Sequence, residues 1–240
     1  MKKTTIIRNA RLVNEGQITE SDVLLKDGRI EKIPADLPAN TGADIVDANG
    51  RHLLPGMIDG QVHFREPGLT HKGDFYSESR AAIAGGVTSY LEMPNSKPPT
   101  TNLEQLEWKY ARAAERSAAN FGFYFGATNN NIDQIRALDP SMTCGVKVFM
   151  GASTGNMLVD NEATLTAIFR DSPVLIATHC ESTPMILANI KKATARYGKN
   201  IPVTEHANIR SAEACYASSE LAVALANEHP AQLHVRHIST

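Results

Sequence analysis

The stretch 55-PGMIDGQVHFREPG-68 sets a short apolar run before four polar residues on alternate positions and closes in a proline-glycine turn. The four polar residues are Asp59, Gln61, His63 and Arg65. Side chains two residues apart on a β-strand point to the same face, so the pattern predicts a strand that carries its polar groups to one side. The stretch also marks the boundary between two kinds of sequence.

Residues 1–54 and 55–240 differ in their hydrophobic pattern. The first segment alternates apolar and polar positions in short runs broken by "EG", "DG" and "NG", which predicts a small β domain, the N-terminal part of a β-sandwich. The second alternates short apolar runs with longer helical stretches, which is typical of βα units around a parallel sheet. Its six strand candidates are "GMIDGQVHF", "GVTSYLEMP", "FGFYFGAT", "CGVKVFMG", "PVLIATHC" and "LHVRHIST".

An open doubly wound sheet and a closed (β/α)8 TIM barrel both suit this pattern. Polar residues follow nearly every strand candidate, as the mouth of a barrel requires, and no glycine-rich phosphate loop follows the first strand. The sequence therefore predicts an α/β barrel. A complete barrel takes about 250 residues, so we expect about six of the eight strands and a barrel truncated in this chain. The polar residues are His63, Arg65, Asn95, Lys147, His179 and His237.

Composition narrows the partners and the cellular compartment. The chain has 240 residues, 42% of them hydrophobic, and a net charge of -2, which gives no general attraction to nucleic acid or to an anionic membrane. No apolar segment has the length of a signal peptide or a membrane span, so a cytoplasmic protein is expected. Three widely spaced cysteines predict no disulfide framework.

Three strand candidates carry groups that suit a metal site. His179 and His237 end two of them, and Lys147 lies in the apolar run "GVKVFMG", where a free ammonium is costly to bury. Two interpretations of Lys147 remain open. The lysine either pairs with a carboxylate such as Asp59, or its amine has a lowered pKa and is carbamylated by CO2, becoming an anionic ligand that bridges two metals.

Five separated motifs together resemble one family. In chain order they are "PGMIDGQVHFREPG", "EMPN", "GVKVFMG", "THCE" and "HVRHIST". They are similar to the motifs of the metal-dependent amidohydrolase superfamily, and most closely to those of class I dihydroorotases. The resemblance implies reversible hydrolysis of the cyclic amide of dihydroorotate to N-carbamoyl-aspartate, a step of pyrimidine biosynthesis. It also implies zinc held by four residues: His63, carbamylated Lys147, His179 and His237.

Arg65 and Asn95 bear on the substrate. A guanidinium offers a planar donor fork for a carboxylate and an amide adds a further donor, although a loop salt bridge and a turn-forming asparagine explain the same residues. The resemblance implies that both bind the substrate carboxylate. Related hydantoinases and allantoinases lack this arginine after their histidine pair, so Arg65 favours dihydroorotase.

The sequence departs from the family at Gln61, where the first-strand motif has a histidine. A glutamine oxygen is a poor zinc ligand, so we expect one or two zinc ions, with the site of Lys147, His179 and His237 filled better than the site of Gln61 and His63. Asp59 is an uncertain further ligand. The resemblance places the catalytic aspartate beyond Thr240, so no catalytic residue is assigned.

Two other interpretations follow from the replacement of the family's histidine by Gln61. The protein is alternatively an inactive pseudo-dihydroorotase that serves as a scaffold for aspartate carbamoyltransferase, or a cyclic amidohydrolase of the hydantoinase or allantoinase type. A homodimer is expected, and the segment "KNIPVTEHANIRSAEA", long for a connection, is predicted as a loop at the rim or a subunit contact.

Overall fold

A computed structural model describes residues 4–33, 42–151 and 156–238. The chain divides into two compact units, Met1–Met57 and Ile58–Thr240. Within the described residues, no helix is both long and apolar enough to cross a lipid bilayer.

The described strands of the first unit form one mixed sheet. Its strand order is β3-β2-β1-β4, with β5 also paired to β1, and β1 runs antiparallel to β2 but parallel to β4. The predicted β-sandwich is not confirmed, because the described strands of this unit belong to one sheet. The strands are β1 (Thr4–Asn14), β2 (Gln17–Lys26), β3 (Arg29–Lys32), β4 (Asp44–Asp47) and β5 (His52–Leu53).

Two tight turns set the register of this sheet. Glu15 and Gly16 have φ angles of 48° and 75°, and Asp27 and Gly28 have 51° and 78°. Two successive residues with positive φ match the right-handed twist of the flanking strands in a two-residue hairpin. The "EG" and "DG" signals in the sequence therefore mark the β1–β2 and β2–β3 connections.

The second unit is built on a curved parallel sheet of six strands. Their order in space is β6-β7-β8-β9-β10-β11, the same as their order in sequence. A doubly wound sheet reverses direction at a switch point, whereas a barrel adds each strand beside the last. The sheet is thus part of a barrel, as predicted. The strands are β6 (Met57–Val62), β7 (Val87–Glu92), β8 (Asn120–Gly126), β9 (Gly145–Phe149), β10 (Ile176–His179) and β11 (Leu233–Val235).

Helices follow the strands, and several begin at side-chain caps. Asn102 accepts a hydrogen bond from the backbone N–H of Gln105 at 2.8 Å, and Asn161 accepts one from Thr164 at 2.9 Å. Such caps satisfy backbone donors left free in the first helical turn. The helices are α1 (Phe75–Ala84), α2 (Leu103–Arg116), α3 (Ile132–Arg136), α4 (Glu162–Asp171), α5 (Thr183–Tyr197), α6 (His206–Ile209) and α7 (Ala212–Glu228).

The core of the second unit lies between the sheet and these helices. Phe75, Phe123, Ile135 and Ile168 are fully buried in one cluster. Burying side chains of this size contributes about 1.5–3 kcal/mol each. This core fixes the strands, and so their carboxyl ends, where the candidate site lies.

Candidate active site

The first barrel strand presents its polar residues in two different ways. Asp59 and Gln61 lie on β6, where Asp59 Oδ1 accepts a hydrogen bond of 2.9 Å from the backbone N–H of Gln61. The strand ends at Val62, so His63 and Arg65 lie beyond it. Arg65 has a φ of 70°, in the left-handed region. The predicted alternation of four polar side chains on one face is therefore wrong for Arg65, since strand periodicity has stopped before that residue.

A buried ion pair holds this segment beyond β6. Glu92, the last residue of β7, accepts hydrogen bonds from the backbone N–H groups of Phe64 and Arg65. Its Oε2 also lies 2.8 Å from Nζ of Lys109 on α2, and both side chains are buried. A buried carboxylate satisfied by several donors is firmly placed. Glu92, paired with Lys109, thus fixes the backbone directly after His63.

Lys147 is the third of the five residues of β9, in the middle of the strand rather than at its end. Its side chain is buried, and Nζ has no hydrogen-bond partner among the described residues. The expected alternative of a pair with Asp59 is not seen in this part of the chain. Burial, and next the charge of Arg236, lower the pKa of the amine to about 8. The amine is therefore much closer to neutral than an ordinary lysine.

His179 and His237 meet at the ends of neighbouring strands. His179 is the last residue of β10, and His237 follows the end of β11 by two residues with a φ of 42°. Nδ1 of His179 lies 3.1 Å from Nε2 of His237. Two imidazole nitrogens on a tetrahedral zinc are about 3.3 Å apart, given bonds of about 2.0–2.1 Å. The pair is therefore spaced as two ligands of one ion would be.

The four predicted ligands form one electrostatic cluster. Burial lowers the pKa of His63 to about 4, with further contributions from the charges of Arg65 and Lys147. Burial is also the main cause of the lowered pKa of His179 and of His237, and the charge of Lys147 again contributes to both. All three imidazoles are thus kept in the neutral form that binds metals.

Asn95 follows β7 by three residues and is half buried. Its amide oxygen Oδ1 is buried and has no hydrogen-bond partner among the described residues. An amide oxygen in this condition is costly unless some group donates to it. Arg65 lies near His63, and its charge contributes to the lowered pKa of that histidine. The two predicted substrate residues thus lie at the ends of adjacent strands.

Sequence reasoning missed two residues beside His179. Glu181 Oε2 lies 2.6 Å from Nε2 of His179, and the same carboxylate pairs with Arg210. Metal-binding histidines commonly donate their second ring N–H to a carboxylate in this way. The "THCE" motif could have indicated Glu181, since this glutamate follows the histidine by two residues. No local sequence pattern indicates Arg210, because it comes from a distant segment.

The donor set fits zinc only if Lys147 takes part. Among residues 4–33, 42–151 and 156–238, no three His, Cys, Asp or Glu side chains are arranged to hold a metal ion. Two imidazoles and one carbamate oxygen would make three ligands, which suffice for a catalytic zinc that keeps an open position. The unpartnered, buried amine of Lys147 is where such a carbamate would form.

Comparisons with known proteins show what the chain is similar to. The model of the Dihydro-orotase-like family matches residues 50–136. An L-hydantoinase of Paenarthrobacter aurescens is 33% identical over 205 residues, which are 83% of this chain and 45% of the relative. A dihydroorotase of Methanosarcina acetivorans is 32% identical over 240 residues, which are 98% of this chain and 50% of the relative.

A solved structure gives the same result for the fold. The L-hydantoinase (dihydropyrimidinase) from Arthrobacter aurescens has a TM-score of 0.91 and 31% identity, covering 100% of this chain and 53% of that one. The chain is similar to the dihydroorotase-like amidohydrolases. It spans about half the length of the curated relatives it matches. The family match at residues 50–136 includes His63, Arg65 and Asn95.

Proposed function

We propose that the protein is a zinc-dependent dihydroorotase, which reversibly hydrolyses the cyclic amide of dihydroorotate to N-carbamoyl-aspartate in pyrimidine biosynthesis. The observation that carries the proposal is the geometry of three predicted ligands: Nδ1 of His179 lies 3.1 Å from Nε2 of His237, and the buried Nζ of Lys147 has no hydrogen-bond partner among the described residues. The similarity to dihydroorotase-like proteins adds the reaction class, cyclic amide hydrolysis.

His179, His237 and carbamylated Lys147 would hold one zinc ion. His63 and the carbamate, with Gln61 in place of a stronger ligand, would hold a second ion weakly, and Asp59 is the further candidate ligand of that ion. When bound, zinc supplies a hydroxide nucleophile at neutral pH and polarises the amide carbonyl. The chain contributes the neutral imidazoles of His63, His179 and His237.

Lys147 would gain its carboxylate by reaction with CO2. The lone pair of the neutral amine attacks the carbon of CO2, an N–C bond forms, one C–O π pair moves to oxygen and the amine releases a proton. Two observations support this step: the lowered pKa of the amine, and the lack of a hydrogen-bond partner for Nζ among the described residues. The product is an anion with two oxygens, which suits a bridging position.

Arg65 and Asn95 would recognise the carboxylate of dihydroorotate. A guanidinium binds a carboxylate through two parallel hydrogen bonds, and the amide of Asn95 can add a donor. The firm placement of the Arg65 backbone by Glu92 supports this role, because a positioned fork loses little freedom on binding. Hydantoin and allantoin carry no ring carboxylate, so this pair favours dihydroorotate.

An activity assay on the purified protein tests the proposal. Dihydroorotate, hydantoin and allantoin are each offered with zinc, after chelation, and after zinc is restored. We expect turnover of dihydroorotate that is lost on chelation and regained with zinc. Turnover of hydantoin or allantoin alone would instead assign the protein to that type of cyclic amidohydrolase.

A scaffold without activity is the second candidate, and Gln61 is the residue that favours it. Loss of one metal ligand is what a site released from catalysis would show. A protein that turns over none of the three substrates, yet forms a stable complex with aspartate carbamoyltransferase in analytical ultracentrifugation, would support the scaffold. The same ultracentrifugation on the protein alone tests the predicted homodimer.

A further inference from the structure

The imidazole of His179 has its two nitrogens in different surroundings. Nε2 lies 2.6 Å from Oε2 of Glu181, while Nδ1 faces Nε2 of His237 at 3.1 Å. An ionised carboxylate only accepts hydrogen bonds, so Nε2 of His179 must be the donor. In the neutral ring the lone pair then lies on Nδ1, on the side of His237.

Glu181 is itself held by a second partner. Its carboxylate pairs with Nη1 of Arg210, and the glutamate side chain is only 14% exposed. A guanidinium has donors and no acceptor, so the carboxylate of Glu181 is the acceptor in this pair. The contact with Arg210 therefore holds the carboxylate in place as an acceptor for the histidine.

Arg210 reaches this position because of the long connection between α5 and α7. Its backbone N–H donates to the carbonyl of His206 at 2.9 Å, which closes the short helix α6. The connection is tied to α5 by two hydrogen bonds, from Asn189 to the carbonyl of Ile209 at 3.2 Å and from Tyr197 to Glu205 at 3.0 Å. The segment is thus an ordered support that delivers one guanidinium to Glu181.

We propose that Glu181, held in turn by Arg210, is a positioning residue that fixes His179 in its Nε2–H tautomer and directs the Nδ1 lone pair at the metal. The inference rests on the proposed function for the identity of the metal, and adds two residues to the site. It also gives the segment between α5 and α7 a role: the support of one metal ligand from outside the sheet.

The first test reads the tautomer without any metal or substrate. Long-range 1H–15N NMR on the purified protein, with His179→Gln to assign the signal, reports which ring nitrogen carries the proton. We expect the Nε2–H form in the wild type and in Glu181→Gln, whose amide oxygen still accepts. In Glu181→Ala we expect a mixture of both tautomers. A pure Nε2–H signal in Glu181→Ala would overturn the proposal.

The second test measures zinc affinity by competition with a chromophoric chelator. Removing a hydrogen-bond partner of a metal-binding histidine costs about 10- to 100-fold in metal affinity. We expect that loss for Glu181→Ala, and smaller losses for Glu181→Gln and Arg210→Met. Glu107→Ala and Arg196→Met remove exposed residues of the same types elsewhere and should bind zinc as the wild type does.

The outcomes separate this proposal from the proposed function. Lowered affinity in the Glu181 variants together with no turnover of dihydroorotate would refute the dihydroorotase and leave the positioning role standing. Equal zinc affinity of wild type and Glu181→Ala would overturn the positioning role, whatever the activity. If Glu181→Ala does not fold, as judged by circular dichroism, the zinc affinities of Glu181→Gln and Arg210→Met provide the test. Both should be lower than that of the wild type.

Discussion

Two buried lysines in the second unit have opposite surroundings. Lys109 and Lys147 are each 1% exposed. Nζ of Lys109 lies 2.8 Å from a carboxylate oxygen of Glu92 and 3.3 Å from the carbonyl oxygen of Met93. Nζ of Lys147 has no hydrogen-bond partner in the described part of the chain.

This difference distinguishes a lysine that stabilises the fold, Lys109, from one that is available to react, Lys147. A buried ammonium is costly unless it is paired, and Lys109 meets that requirement with Glu92. Lys147 has no such partner, and burial lowers the pKa of its amine to about 8, so that a larger fraction of the amine is neutral than in an ordinary lysine. The neutral form of an amine is a nucleophile for CO2, whereas a paired ammonium is not. The contrast between the two lysines is therefore open to direct tests.

Replacing Lys147 should have the largest effect on catalysis. Lys147→Met removes the carbamate, and the loss of several kcal/mol of metal-based charge stabilisation should lower kcat/KM for dihydroorotate by at least about 10³-fold. Stability to urea should stay unchanged or rise, because methionine needs no partner. In Lys147→Ala, acetate should restore part of the activity. Near-normal turnover by Lys147→Met would show that Lys147 is not needed for catalysis.

Replacing Lys109 should instead damage stability. Lys109→Met leaves the Glu92 carboxylate buried without its partner, and breaking a buried pair from one side costs about 3–5 kcal/mol in the free energy of unfolding. Urea denaturation monitored by circular dichroism measures this cost, with the exposed Lys191→Met as a control. A change below about 1 kcal/mol would show that the Lys109 pair is dispensable.

Arg65→Met should weaken substrate binding without touching the metal. Hydrogen bonds between charged groups contribute about 1.5–3 kcal/mol, so we expect KM for dihydroorotate to rise about 10- to 100-fold. Zinc content, measured by inductively coupled plasma mass spectrometry, should equal that of the wild type. Arg80→Met, which changes an exposed arginine on α1, serves as the control. Unaltered kinetics in Arg65→Met would show that Arg65 does not bind the substrate carboxylate.

Gln61→His should have the mildest effect, confined to metal content. An imidazole is a far better zinc ligand than a glutamine oxygen, so bound zinc should rise from about one to about two ions per chain. Two tightly held ions already in the wild-type protein would refute the unequal occupancy that Gln61 predicts.

The barrel strands could be predicted from sequence because the signals are local. Each of the six apolar runs became a strand of the parallel sheet, and the spacing of helical stretches between them predicted parallel connections. The β-sandwich was not confirmed, since strand pairing in the first unit depends on contacts between distant segments. Alternation alone cannot say whether strands form one sheet or two.

The site was predictable to a lesser degree. The positions of His179 and His237 followed from strand ends. The left-handed backbone of Arg65 did not, because it accompanies hydrogen bonds to Glu92 from another strand. Likewise, the contact of Arg210 with Glu181 joins residues 29 positions apart, which no local motif encodes. Long-range polar contacts were the part that sequence patterns could not supply.

One measurement bears most directly on the difference between the two lysines. The purified protein is incubated with 13C-bicarbonate and zinc, and its 13C NMR spectrum is compared with those of Lys147→Met and Lys191→Met. We predict one carbamate carbon signal in the wild type and in Lys191→Met, and none in Lys147→Met. A wild-type protein that binds zinc without a carbamate signal, or a signal that persists in Lys147→Met, would contradict the assignment of Lys147 as the carbamylated ligand.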